Sequence, residues 1–218
     1  MIRTVIFDLD GVIIDSEPVH LRIEKQMFEE LNIKMSFEEH CSYTGTSPQN
    51  MWEKIVAKYG IFSDRADALV KKQHGIYMDY LLGENDLHPI PGVVQLTKDL
   101  RANDFKLVIA SSATMKVIDL VLTRFQLLDY FLAKVSGSEL VHSKPHPEIF
   151  LIAAKLASSE PSACVVIEDS QNGITSARAA GMKCIGFLNP NSGVQNLAAA
   201  DMVITSFDEL NADLIKSL

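Results

Sequence analysis

Basic excess, paired cysteines and long apolar runs are all missing from this chain, and each absence removes a class of function. Its 218 residues carry 28 acidic against 20 basic side chains, a formal net charge of −8. With no basic stripe a nucleic-acid partner is not expected, and an anionic ligand must be held by local cations. Three cysteines, Cys41, Cys164 and Cys184, occur without a CxxC pair, which speaks against a disulfide framework and for core thiols in a reducing compartment. No run reaches membrane-spanning length, and Met1-Ile2-Arg3-Thr4 leads into a strand bearing aspartates rather than into an uninterrupted signal-like apolar stretch. The expectation is a cytoplasmic monomer that meets neither nucleic acid nor membrane. Internal repeats and low-complexity segments are lacking too.

What is present is a series of short β-branched runs, at Thr4–Phe7, 106–110, 133–135, 164–167, 184–187 and 202–205. Continuous apolar runs of this length suit strands buried on both faces, as in a parallel sheet. Helical patterns at 115–125, 148–156 and 173–180 lie between the later runs, the last closed by Gly181 as a C-terminal cap glycine. Strand and helix alternation predicts an α/β, doubly wound (Rossmann-like) parallel sheet. Residues 16–87 break the pattern, with no clear strand and many Glu and Lys, and predict a small inserted helical bundle. Ser36-Phe37-Glu38-Glu39 has the form of a capping box, and Ser47-Pro48 that of an N-cap followed by proline at the first helical position. Leu31, Ile33 and Phe37, then Met51, Trp52, Ile55 and Tyr59, supply its apolar faces, with Trp52 a packing residue. His88-Pro89-Ile90-Pro91-Gly92 reads as the linker back to a core formed by 1–15 and 88–218.

In open parallel sheets ligands bind beyond the carboxyl ends of the strands. The first run ends in Asp8-Leu9-Asp10-Gly11-Val12, whose i, i+2 carboxylates share one side of an extended strand. Two like charges so close persist only where a cation holds them or one keeps a proton. The second run ends in Ser111-Ser112, a later one in Glu168-Asp169, and Lys144-Pro145-His146-Pro147 follows the third. Pro145 places Lys144 on an extended loop rather than in a helix. Each element alone has a plainer reading: a turn, a helix cap, a surface loop. Together they describe an acidic cluster suited to Mg²⁺, a hydroxyl and helix start suited to phosphate oxygens, and one balancing cation.

In these four motifs, in this order, the chain resembles the haloacid dehalogenase-like superfamily, in the branch of β-phosphoglucomutase and small sugar-phosphate phosphatases. The resemblance implies that Asp8 attacks phosphorus to form an aspartyl-phosphate while Asp10 acts as general acid and base. It further implies phosphate binding by Ser111, Ser112 and Lys144, and Mg²⁺ held by Asp8, the Asp10 carbonyl and Asp169, with Glu168 bound directly or through water. The insert, 16–87, corresponds to a helical cap domain, in which Glu17, His20 and Gly45 are candidate substrate-facing residues; Asp15 reads as a hinge or cap residue rather than a catalytic one. The cap loop, Thr44, Thr46, Ser47, Pro48 and Gln49, lacks the cation a mutase needs for a second phosphate, and Lys71 and Lys72 are not securely equivalent. The expected activity is therefore Mg²⁺-dependent hydrolysis of a small phosphorylated metabolite. A hexose-phosphate mutase is the alternative, and a phospho-accepting signalling domain a more distant one.

Overall fold

The computed structural model describes residues 1–43, 47–61, 65–83, 87–192 and 195–218. Six strands, β1 (Thr4–Phe7), β2 (Lys106–Ser111), β3 (Ala133–Ser136), β4 (Cys164–Glu168), β5 (Lys183–Phe187) and β6 (Met202–Ile204), form one parallel sheet in the order β3-β2-β1-β4-β5-β6. All six coincide with the β-branched runs to within a residue at either end. The chain leaves β1 toward one edge and later returns to the other side of it, so β1 borders the switch point where such sheets bind ligands.

Alternation along the strands sends apolar side chains to two separate layers. Val5, Phe7, Leu107, Ile109, Val165, Ile167 and Ile185 join one cluster, with α5 (Val93–Ala102), α6 (Met115–Arg124) and α9 (Ala212–Ser217). Ile6, Val108, Ala110, Val135, Cys164, Val166 and Cys184 join the other, with α7 (Glu148–Leu156) and α8 (Gln171–Ala179). Cys164 and Cys184 are free, buried thiols in that second layer. Neighbouring residues thus bury opposite faces, the physical meaning of an uninterrupted apolar strand.

Between β1 and β2 the chain forms α1 (Glu17–Glu30), α2 (Phe37–Cys41), α3 (Pro48–Tyr59) and α4 (Ala66–Leu82) before α5. Val19, Ile23 and Met27 make one stripe of α1; Met51, Trp52, Ile55 and Val56 make that of α3. Trp52 is fully buried and donates from Nε1 to Gln73 Oε1 at 2.7 Å, Gln73 Nε2 in turn reaching Glu24 Oε1 at 2.8 Å. Ser47 caps α3 with Pro48 at its start, and Gly60 (φ 66°) ends it. The way in and the way out are paired: Ile14 bridges Pro89, and the Ile90 N–H donates to the Ile13 carbonyl at 2.9 Å.

Two expectations need correction. Phe37 is 68% exposed and packs no apolar face, because its helix has a single turn whose inward position falls to His40. Ser36 does accept from the Glu39 N–H, but the box is half-made, since the Glu39 carboxylate pairs instead with Lys58 Nζ at 2.8 Å and Tyr59 OH at 3.1 Å. A cation nearby outcompetes a neutral N–H for a carboxylate.

Candidate active site

Sheet register assembles the cluster. Phe7 lies beside Ile109 and Ile167, so the next residues along, Asp8, Ala110-Ser111 and Glu168-Asp169, emerge side by side at one edge. Asp8, Glu168 and Asp169, all buried, each offer a carboxylate oxygen within 4.8 Å of the others. Lys144, also buried, reaches in from its loop, with Nζ 2.6 Å from Glu168 Oε1, 3.1 Å from Asp8 Oδ1 and 3.2 Å from the Ala110 carbonyl. Burial disfavours its charge, but Asp8 and Glu168 more than offset this and raise its pKa above the ordinary lysine value.

The remaining carboxylates show the opposite strain. Burial, reinforced by Glu168 and Asp10 and opposed by Lys144, pushes Asp8 up to about 8. Asp169 is raised well above its ordinary value by burial and then by Glu168 and Asp8. Asp8 Oδ1 is buried with no aligned hydrogen-bond donor; Lys144 approaches it as an ion pair only. Fully ionised, three carboxylates against one ammonium would leave two negative charges in excess, the charge of one divalent cation, and without it Asp8 and Asp169 are driven toward their protonated forms. An all-oxygen donor set suits a hard ion of that kind. Gly11 makes room for the Asp169 carboxylate: at φ +73° it turns the chain, and a Cβ there would stand 2.1 Å from Asp169 Oδ2.

Both oxygens of Glu168 are engaged, Oε1 by Lys144 and Oε2 by the Ser170 N–H and hydroxyl at 2.9 Å each. Ser111 is buried, and its Oγ accepts from the Ala113 N–H at 3.0 Å, which leaves the hydroxyl proton free to donate. Ser112, by contrast, is exposed.

The i, i+2 rule, which sets Asp8 and Asp10 on one side of a strand, does not reach this pair, and Asp10 stands outside the group of Asp8, Glu168 and Asp169. The strand ends at Phe7, and the extended geometry on which that rule depends ends with it. Asp10 Oδ1 instead accepts hydrogen bonds from Ser16 Oγ at 2.6 Å and Tyr77 OH at 3.4 Å and pairs with His20 Nε2 at 3.7 Å, all three from the helical insert. Burial pushes its pKa up, but His20, Ser16 and Tyr77 outweigh it and leave Asp10 below the usual carboxylate value. The same contact, against the cost of burial, lifts His20 to about 9, and the Tyr77 ring lies 4.3 Å from the imidazole. Glu17, one turn earlier on α1, is raised to about 7 by burial. Gly45 lies outside the described residues.

Sequence reading passed over Ser16, Tyr77 and the segment after β5. Asn189 Nδ2 donates to the Gly11 carbonyl and to Asp15 Oδ1, both at 3.2 Å, and Asn191 Nδ2 donates to Asp15 Oδ2 at 2.5 Å. Ser192 Oγ donates to Asp169 Oδ2 at 2.8 Å. The strand-end rule, applied to β5 as well, would have reached Asn189.

The sequence pattern of the haloacid dehalogenase-like hydrolases matches residues 5–187. The chain is 30% identical to β-phosphoglucomutase of Bacillus subtilis, over 98% of this chain and 93% of that protein. It is 29% identical to hexitol phosphatase B of Escherichia coli, over 97% and 95%. An Arabidopsis thaliana protein, SUPPRESSOR OF QUENCHING 1, matches at 31% over 84% of this chain, which spans 18% of that longer protein. Among solved structures, β-phosphoglucomutase of Clostridium difficile superposes with a TM-score of 0.85 at 27% identity, covering 100% of this chain and 96% of that one. The shared pattern runs from the first strand through the fifth with the acidic cluster inside it, and the chain belongs to the haloacid dehalogenase-like hydrolase family, in its β-phosphoglucomutase-like branch.

Proposed function

We propose that the protein is a Mg²⁺-dependent phosphatase of a small phosphorylated metabolite, acting through an aspartyl-phosphate on Asp8. The observation that carries the reading is the buried Asp8 carboxylate, flanked by Lys144 and by two further acids with a net deficit of two positive charges. Asp8 and Asp169 would hold the ion. When bound, Mg²⁺ supplies the charge that lets an anionic ester approach an anionic nucleophile. Lys144 neutralises part of the transferring group, and the Ser111 hydroxyl and following N–H groups receive its oxygens. Glu168, with both oxygens taken, serves to fix Lys144 and would contribute to holding the ion only indirectly. Asp10, anionic where His20 holds it, is in the form that takes a proton from water in the second half-reaction; loss of those donors as substrate enters favours the protonated form required in the first. Residues 16–87 act as a cap over a core of 1–15 and 88–218. The net charge of −8 and unpaired core thiols fit a cytoplasmic monomer with neither nucleic-acid nor membrane partner.

Relatives named hexitol phosphatase and fructose-1-phosphate phosphatase make polyol and sugar phosphates the first substrates to try. A mutase reading draws on the β-phosphoglucomutase relatives but needs a cation for a second phosphate. Lys72 is committed to Glu30 on the outside of the insert, and Lys71 is exposed. The test is phosphate release from a panel of sugar, polyol and acid phosphates with Mg²⁺ and with EDTA. Wild type should turn over only with the metal, Asp8→Asn should be inactive, and Asp10→Asn should fall by about 10²–10⁴-fold. Full activity of Asp8→Asn would refute the reading; bisphosphate-dependent isomer formation without free phosphate would favour the mutase.

A further inference from the structure

The segment after β5 is the wall of the acidic cluster for which the proposed reaction has no use. Ser192 is 1% exposed, and its hydroxyl is committed to Asp169 Oδ2. Gln195 Nε2 holds the main chain beneath, donating to the Asp169 carbonyl at 2.6 Å and to the Phe187 carbonyl at 3.2 Å. On its other side Asp169 Oδ2 abuts Gly11, whose missing Cβ would lie 2.1 Å away. One oxygen of Asp169 is therefore walled in and hydrogen-bonded, and no described residue donates to the other. Both oxygens of Glu168 are already committed. A cation at this cluster would meet an Asp169 with one oxygen to give, not two.

That difference separates the two common hard cations. Mg²⁺ is satisfied by six ligands at about 2.0–2.1 Å, one oxygen per carboxylate with water completing the set, whereas Ca²⁺ takes about 6–8 oxygens and draws on bidentate carboxylates. We propose that Ser192 is a positioning residue that restricts Asp169 to single-oxygen ligation and so biases the cluster toward Mg²⁺ over Ca²⁺. The inference rests on the cation-dependent reading above.

Isothermal titration of EDTA-stripped protein with MgCl₂ and with CaCl₂, in the absence of any substrate, tests it. Ser192→Ala should weaken Mg²⁺ binding by about 10–100-fold, the usual effect of removing a group that orients a ligand. It should leave Ca²⁺ binding unchanged or tighter, while Ser192→Thr, which keeps the hydroxyl, moves the ratio back toward wild type. An unchanged Mg²⁺/Ca²⁺ ratio in Ser192→Ala overturns the proposal, as does equal weakening of both ions with a depressed melting temperature, or absence of Mg²⁺ binding to wild type. Should the ratio shift as expected while wild type hydrolyses no ester, the proposed reaction falls and the role of Ser192 stands.

Discussion

Replacing Gly173 by alanine should destabilise this protein, although the same change in a helix interior ordinarily stabilises by about 0.8–1.0 kcal/mol. Gly173 lies in the first turn of α8, where a Cβ would stand 1.8 Å from Glu168 Oε1 and 1.9 Å from its Cδ. Glu168 is fully buried and held by Lys144 at 2.6 Å and by two donors of Ser170 at 2.9 Å, so its carboxylate has no solvent to retreat into. Breaking a buried ion pair of this kind costs about 3–5 kcal/mol. The helix gain offsets about 1 kcal/mol of that, leaving a net loss of roughly 2–4 kcal/mol. At roughly 2–4 °C per kcal/mol for a chain of this size, melting in EDTA should fall by about 4–16 °C. Gly75 in α4 provides the control, since nothing lies within 4 Å of a Cβ there and Gly75→Ala should raise melting by a few degrees. Circular dichroism melts of both variants decide the matter. A Gly173→Ala protein that melts at or above wild type would refute the account of Glu168 as the pinned anchor of Lys144.

Two further predictions use the same ledger of buried charge and unmet hydrogen bonds. In EDTA, Asp8, raised to about 8, keeps a proton in the folded state that the unfolded chain has already lost, and Glu17, raised to about 7, does likewise. The folded state then binds more protons than the unfolded across about pH 4–8, so stability falls as pH rises through that window. His20, raised to about 9, adds the same sign above pH 6.5, because it is charged by its partners only in the folded state. Wild type in EDTA should melt lower at pH 8 than at pH 5, Asp8→Asn should flatten that slope, and Mg²⁺ at pH 8 should raise melting; a steady rise of melting temperature with pH would contradict the charge assignment. In the insert, Trp52→Phe removes the donor to Gln73 Oε1 within a buried network. Urea unfolding followed by circular dichroism should show a loss of about 1–3 kcal/mol, and an unchanged midpoint would mean that the network contributes nothing.

Much of this was legible in the residues, and the limits have physical causes. The strands emerged because an element buried on both faces needs only one local property, a run of β-branched apolar residues, and every such run from Thr4–Phe7 to Met202–Ile204 is in the sheet. Lys144, Ser111 and Asp169 were found because strand ends are local features and the register of β1 with β2 and β4 does the rest. Helix α5 carries a regular stripe in Val93, Leu96 and Leu100, yet sequence reading assigned no element to 93–102, directly after the linker 88–92. Phe37 was misplaced because one turn of helix is too short for periodicity to fix a face. Tyr77 and Ser192 stand 67 and 23 residues from the carboxylates they bond, and no spacing rule connects positions so far apart.

The pair of aspartates shows what such distant partners accomplish. As a sequence, Asp8-Leu9-Asp10 offers two equivalent acids, and equivalence is poor design for a reaction that needs one nucleophile and one proton carrier with different affinities for a proton. The fold removes the equivalence by giving each a different landlord. Asp8 is flanked by Lys144 and Glu168, groups from the sheet and its loops, and without a cation is driven toward its neutral form. Asp10 answers to Ser16, His20 and Tyr77, all contributed by the insert or its entry, and is held anionic. Any displacement of α1 and α4 relative to the sheet must therefore change the proton affinity of Asp10 while leaving the contacts of Asp8 with Lys144 in place. In the proposed reaction, with Asp8 the nucleophile and Asp10 the proton carrier, proton transfer becomes conditional on the contacts that α1 and α4 make with Asp10.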